Sequence, residues 1–399
     1  MAILSSSGQE SSIICAYAFP FTSSSTSTSL EGVFDLRAPH PALGPEQRQR
    51  AIRAFVAVIE ACEPLQKHKP YKHVTLVRLT YEYARSETSR DNFLHFFFEH
   101  TQIPMDDSLS RSVPTVDYEP QLIAFAETLF ENFFLPSSTR KTPQPSPAAL
   151  SDLQSAQNLT GTTRRLANLR RDCLIRDRHR CVISRSFDRK EAARRVTQDG
   201  TGEACDDEGI LLGETGNTIA TLEVAHIIPH SLMNVSVGEQ NLNESKKVAL
   251  AILNMFDDGV IYLLEGDDID RTRNAITLTM EFHHLFGCFE VYFEPYGGQA
   301  HTYRIDSVHE DFMRPSILPI SNRTLFLTDN RTIDPPSPRL LAIHAAIAHI
   351  LYLSAAGQYI NDILDDLDQG EISADGSTPL GQFTALRVYG WWDGRIHAY

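Results

Sequence analysis

Two stretches decide how this chain reads: LEVAHIIPH at residues 222–230 and RNAITLTMEFHHLFG at residues 273–287. The first reads as a strand that delivers His226 to a strand-to-loop turn, with Pro229 shortly after. Glu223 and Ala225, two apart on that strand, share one face of it. The second supplies Asn274 and, nine residues later, His283, and its run AITLTMEFHHLFG reads as a short helix. Forty-eight positions separate His226 from Asn274, too many for a simple hairpin, so 231–270 reads as an insertion. Within it, KKVALAILNMFDDGVIYLLEG has the pattern of a helix or a helix–strand unit.

Around these stretches, CVISR (181–185), CFEVYFEPY (288–296) and HTYRIDSV (301–308) cluster or alternate apolar and aromatic residues as strands do. Upstream, Ile52, Phe55, Val56 and Ile59 fall at i, i+3, i+4 and i+7 of an amphipathic helix. Phe93–Phe98 and the stripe Leu122, Phe125, Ala126, Leu129, Phe130 and Phe133 continue a helical, aromatic-rich segment. The organisation expected is a disordered Ser/Thr-rich 1–30, a helical domain over 31–135 and a Pro/Ser-rich linker over 136–162. A domain over 163–330 carries the His226–His283 constellation, and 331–399 is a C-terminal helix and tail.

The order His, Asn, His, written as AHIIP, then NAITL, then HHLFG, resembles the HNH endonucleases, and is similar to the HNH-domain proteins of filamentous fungi. RDCLIRDRHRCVISR (171–185) resembles the lead-in of that branch and CFEVYFEPYGGQAHTYRI (288–305) its trailing hairpin, so the likeness spans roughly 164–310. It implies an α+β fold: a strand–strand–helix (ββα-metal, HNH-like) nuclease module flanked by helical N-terminal and C-terminal segments. It also implies metal-dependent hydrolysis of nucleic-acid phosphodiester bonds, with DNA the expected substrate. His226 would be the general base, as suits an imidazole that titrates near neutral pH. Asn274 would brace the metal loop or ligate through its amide oxygen, and His283 would be a metal ligand. So sparse a donor set suits an ion that keeps several waters, Mg²⁺ first, with Mn²⁺ or Zn²⁺ as alternatives.

Many members of the family place Asp or His before the catalytic His; here that residue is Ala225, as in the branch with AHI. His230, Glu223 and His284 are the auxiliary ligand candidates. Ala225 and the acidity of the chain favour a second reading, a catalytically silent HNH-like module that binds nucleic acid or protein.

The chain has 399 residues and a formal charge of −15, which excludes a uniformly basic nucleic-acid coat. The charge is unevenly placed. Residues 163–199 hold twelve Arg or Lys against five acids, and residues 200–270 hold fourteen acids against Lys246 and Lys247. The basic stretch is where phosphate contacts are expected, from Arg170, Arg171, Arg176, Arg178 and Arg180. Six cysteines without a CxxC pair argue against a zinc-finger cluster or a disulfide scaffold. No apolar window reaches the length of a membrane span and no signal peptide is read, so an intracellular protein, nuclear or cytoplasmic, is expected. His344 and His349, five apart on one helix, are off the spacing of a ligand pair and read as packing residues.

Overall fold

The computed structural model describes residues 42–105, 117–138, 161–199, 203–213, 218–229, 232, 244–309, 318, 322–369, 381 and 386. The Ser/Thr-rich segment 1–30, most of the Pro-rich stretch, His230 and the Trp391–Trp392 pair lie outside them. Four helices come first: α1 (Pro45–Cys62), α2 (His73–Glu82), α3 (Glu87–Thr101) and α4 (Glu119–Leu129). The buried face of α1 is Ala51, Ala54, Phe55, Val58 and Ile59, rotated from the expected stripe, and Val56 is left 39% exposed. Small alanines let the neighbouring helices approach there, and the larger side chains fill in around them. Phe55, Phe97 and Phe125 meet edge to face, with ring centroids 5.0 Å (Phe55–Phe97) and 5.3 Å (Phe97–Phe125) apart. A π-turn at Phe130–Phe134 continues α4 and buries Phe130, Phe133 and Phe134 together.

These aromatics do not form a core of their own. Phe133 packs on Phe256 at the end of α7 (Glu244–Phe256), 5.6 Å between centroids, and the Phe256 carbonyl accepts from Arg85 N. Likewise Lys72 N donates to the carbonyl of Ser354, which follows α9 (Pro338–Leu353). One hydrophobic cluster runs from α1 through α7 to α10 (Ala356–Gln369). The helical layer is therefore continuous with the rest of the molecule, and the core does not break at the Pro-rich stretch.

The mixed α+β part begins with α5 (Gly161–Arg176), β1 (Phe187–Asp188) and α6 (Arg189–Asp199). β1 pairs in parallel with β2 (Ile219–Ala220). The expected strand CVISR is instead a tight turn: Arg185 N donates to the Cys181 carbonyl and Cys181 N to Ser186 O. Arg185, at φ 65°, turns the chain back on itself, and Val182 N makes a backbone bond to a strand, donating to Thr277 O at 2.9 Å.

β3 (Leu222–His226) pairs antiparallel with β4 (Ala275–Thr279), in a register that sets His226 opposite Ala275 and Leu222 opposite Thr279. AITLTMEFHHLFG is thus half strand and half helix. Its β-branched first half completes the ladder, and Thr279 caps α8 (Met280–Gly287) by accepting from Phe282 N. The trailing hairpin forms as expected: β5 (Val291–Pro295), β6 (Thr302–Ser307) and β7 (Asn322–Thr324) make an antiparallel sheet, and α9 packs against β5. His344 of α9 is buried, stacked at 3.7 Å on Phe286 of α8, with Nε2 donating to the Phe286 carbonyl. No single helix among the described residues is long and apolar enough to cross a membrane.

Candidate functional site

Strand alternation divides the site. Leu222, Val224 and His226 project to one side of the β3–β4 ladder, where Val224 and Ala275 pack with Leu169 and Cys173 of α5. Glu223 and Ala225 project to the other, toward α8. The two histidines consequently sit on opposite faces of one hairpin, each beside a carboxylate.

On the α5 side, His226 Nε2 lies 3.0 Å from Asp270 Oδ1, and both side chains are sealed, 0% and 1% exposed. Asp270 Oδ2 accepts from Arg165 Nε at 3.3 Å, and the same guanidinium reaches Asp267 at 2.9 Å. Asn274 ties this arrangement together. Its Oδ1 accepts from Ile228 N at 2.9 Å, while Nδ2 donates to the Ile228 and Ile269 carbonyls, each at 3.0 Å. An amide offers an acceptor oxygen and two donor hydrogens in fixed geometry, and here the oxygen and both hydrogens each engage backbone. Fully buried, Asn274 joins the residues after His226 to the residue before Asp270. Its amide oxygen is turned to the Ile228 amide.

On the α8 side, His283 Nδ1 is 2.5 Å from Glu223 Oε2, with the histidine 8% and the glutamate 26% exposed. His283 stands in the first turn of α8 and is held there by the cap at Thr279 and by the burial of Phe282 and Phe286 beside it. His284 points to solvent, its Nδ1 3.9 Å from Cys288 Sγ, away from both carboxylates. Among the described residues no three His, Cys, Asp or Glu groups converge as a metal site.

The arginines correct a sequence expectation. Arg176 is fully buried in an ion pair with Asp177 at 2.9 Å and donates to the carbonyls of Thr272, Ala275 and Asp334. Burial works against its charge, but Asp177 beside it holds the guanidinium above its ordinary value. Arg170 is also buried, donating to Leu222 O at 2.9 Å, and burial lowers it. Arg180 pairs with Asp206 at 2.6 Å and Arg178 with Glu208. Only Arg171 and Arg178 of the expected phosphate contacts are substantially exposed, 52% and 40%. The basic stretch and the acidic stretch are mates: Arg165, Arg178, Arg180 and Arg195 all find carboxylates within residues 206–270.

Residues 181–294 match the family model described as HNH endonuclease. The HNH match brackets both histidine pairs and the Asn274 brace, covers less than half of the chain, and leaves the helical layer outside it. It supports nuclease chemistry and nucleic-acid binding in general terms, and carries no information on a fungal branch. No curated protein and no solved structure matches the chain. Asp270 was not among the candidates read from the sequence. It stands four residues before Asn274 in an acidic run, and only the turn that returns GDDID (266–270) to the hairpin marks it.

Proposed function

We propose that residues 181–294 form a metal-dependent endonuclease module of the ββα-metal type, which hydrolyses phosphodiester bonds with DNA as its substrate. The observation that carries this reading is the Asn274 brace. It fixes His226 and Asp270 as a unit at the end of β3, and the HNH match falls on the same residues. Donation of Nε2–H to Asp270 sets the tautomer and leaves Nδ1 as the basic nitrogen of a general base. Asp270 then stabilises the imidazolium that forms when His226 takes a proton from the attacking water, as a carboxylate does for any histidine base. The Arg165 guanidinium on the far oxygen of Asp270 holds that carboxylate aimed at the ring.

His283 and Glu223 fit a hard divalent ion as one ligand and its support. Glu223 holds the ring by Nδ1 and leaves Nε2 to ligate, the usual carboxylate–histidine–metal order. Mg²⁺, with Mn²⁺ or Zn²⁺ as alternatives, would keep most of its waters there. When bound it supplies charge stabilisation to the phosphoryl oxygens. Glu223 thus takes a supporting role rather than replacing the ligand missing at Ala225.

A second reading, a catalytically silent HNH-like module, draws on the complete burial of His226 and on Ala225. Plasmid nicking with Mg²⁺ or Mn²⁺ separates the two. The nuclease reading expects cleavage that is abolished by EDTA and reduced roughly 10²–10⁴-fold by His226→Ala. Undiminished nicking by His226→Ala would remove the proposed base, and absence of nicking with either metal would favour the silent module.

A further inference from the structure

Most half-buried arginines of the site region meet a carboxylate, but Arg185 and Arg323 do not, among the described residues. Arg185 donates through Nη2 to Thr324 O at 2.5 Å, and Arg323 through Nε to Ile183 O at 2.7 Å. Arg185 Nη1 is buried without a hydrogen-bond partner. Burial, and then the charge of Arg323, push Arg185 down to about 10, and burial lowers Arg323 as well.

The backbone adds a second oddity. Arg185 sits in the left-handed region at φ 65°, where glycine is the default and an L side chain costs roughly 1–2 kcal/mol. Its guanidinium lies 3.9 Å over the Phe326 ring, on which Arg178 also rests at 4.7 Å. Arg323 lines a cavity of about 220 Å³ together with Tyr296, Gln299, Thr302 and Asn322, and no carboxylate lines it.

A chain with a net charge of −15 that keeps two guanidiniums partly desolvated with no carboxylate bonded to either, one of them on a strained backbone, must offset that cost elsewhere. The planar forks of arginine match the oxygens of a phosphate, and the cavity that Arg323 lines has room for one. The place is also apt. Val182 N is bonded to Thr277 O on the outer edge of β4, so this turn runs beside the hairpin, two strand spacings or about 10 Å from β3. That is about three nucleotide steps of a duplex strand.

We infer that Arg185 and Arg323 form a site for a backbone phosphate of DNA, which seats the duplex across the hairpin. The anion's identity rests on the nuclease reading; the anion site itself does not. The test uses the full chain in EDTA and a short fluorescein-labelled DNA duplex, with anisotropy followed over a salt series. The variants are Arg323→Gln, the double Arg185→Gln/Arg323→Gln, and Arg185→Lys, which keeps the charge. The slope of log affinity against log salt becomes shallower by about 0.9 for each phosphate that is no longer neutralised, while Arg185→Lys stays near the parent. If the double variant fails to fold, Arg323→Gln decides alone, since it gives up one bond to Ile183 O. A parental slope in a folded Arg323→Gln or double variant overturns the inference, as does a parent chain that does not bind the duplex at low salt. A changed slope without any nicking in Mg²⁺ or Mn²⁺ would sink the nuclease reading and leave this site standing.

Discussion

The two faces of the β3–β4 hairpin hold the same pair of groups under opposite conditions. On one, His226 and Asp270 are closed off from water; on the other, His283 and Glu223 touch solvent through a carboxylate that is 26% exposed. Coulomb attraction is weakly screened in the first case and strongly in the second. The inner pair is held in place by Arg165 on the far oxygen of Asp270 and by the bonds of Asn274 to the backbone on either side of it. In the proposed reading the outer pair keeps its hydrogen bond and offers His283 Nε2 to an ion. Under the proposed function a base needs its geometry fixed and a metal ligand needs access, and the alternation of one strand would serve both.

Removing one carboxylate from each side tests this contrast hardest. Asp270→Ala removes the partner of His226 Nε2 in a sealed space and one of the two carboxylates on Arg165, and breaking a buried pair costs roughly 3–5 kcal/mol. Glu223→Ala, at a partly exposed pair, costs under about 1 kcal/mol. Urea unfolding of the two variants reads the contrast directly; equal destabilisation would mean that the inner pair is not the sealed one. The same logic separates the arginines. Arg176→Ala strands Asp177 and three carbonyls and belongs with Asp270→Ala in magnitude, whereas Arg171→Ala, on an exposed side chain, leaves stability within about 0.5 kcal/mol.

Behind the outer face, α8 is held by His344, and this contact titrates. Burial pushes His344 down to about 3, against about 6.5 for a histidine in the unfolded chain. Between those values the unfolded chain binds the extra proton, so stability present above pH 6.5 is lost as pH falls toward 3. The loss from this one group is about 2 kcal/mol at pH 5. His344→Phe keeps a ring on Phe286 and should flatten the acid limb of a stability–pH curve by that amount. An unchanged limb would show that His344 takes up its proton without leaving the core.

The placement of the histidines and Asn274 around one hairpin was legible in the sequence because spacing carries it: a strand end, an amide, a helix one turn on. The arginines misled because charge was read along the chain rather than around the helix. Arg170 shares the α5 stripe of Leu166, Leu169 and Cys173, and that periodicity points it inward. Neither that stripe nor the adjacent basic and acidic blocks reveal which residue meets which, because the pairs join positions as far apart as Arg165 and Asp270. Asp270 is hidden for the same reason. An acid in an acidic run has no local mark, and its value comes from the turn that brings it back to His226.

The smallest expected change in stability carries the finest distinction. Glu223→Gln preserves shape and still accepts a hydrogen bond from His283, but removes the charge that makes the imidazole a better ligand. If Glu223 supports His283, the Mg²⁺ or Mn²⁺ concentration for half-maximal nicking rises roughly 10–100-fold while the urea midpoint hardly moves. If the metal requirement is unchanged, Glu223 is a neighbour of His283 and no more, and the ion must be held elsewhere. His283→Gln provides the reference: it removes the ligand itself, so its metal requirement should rise further than that of Glu223→Gln. The reverse order would make Glu223 the ligand and His283 its support.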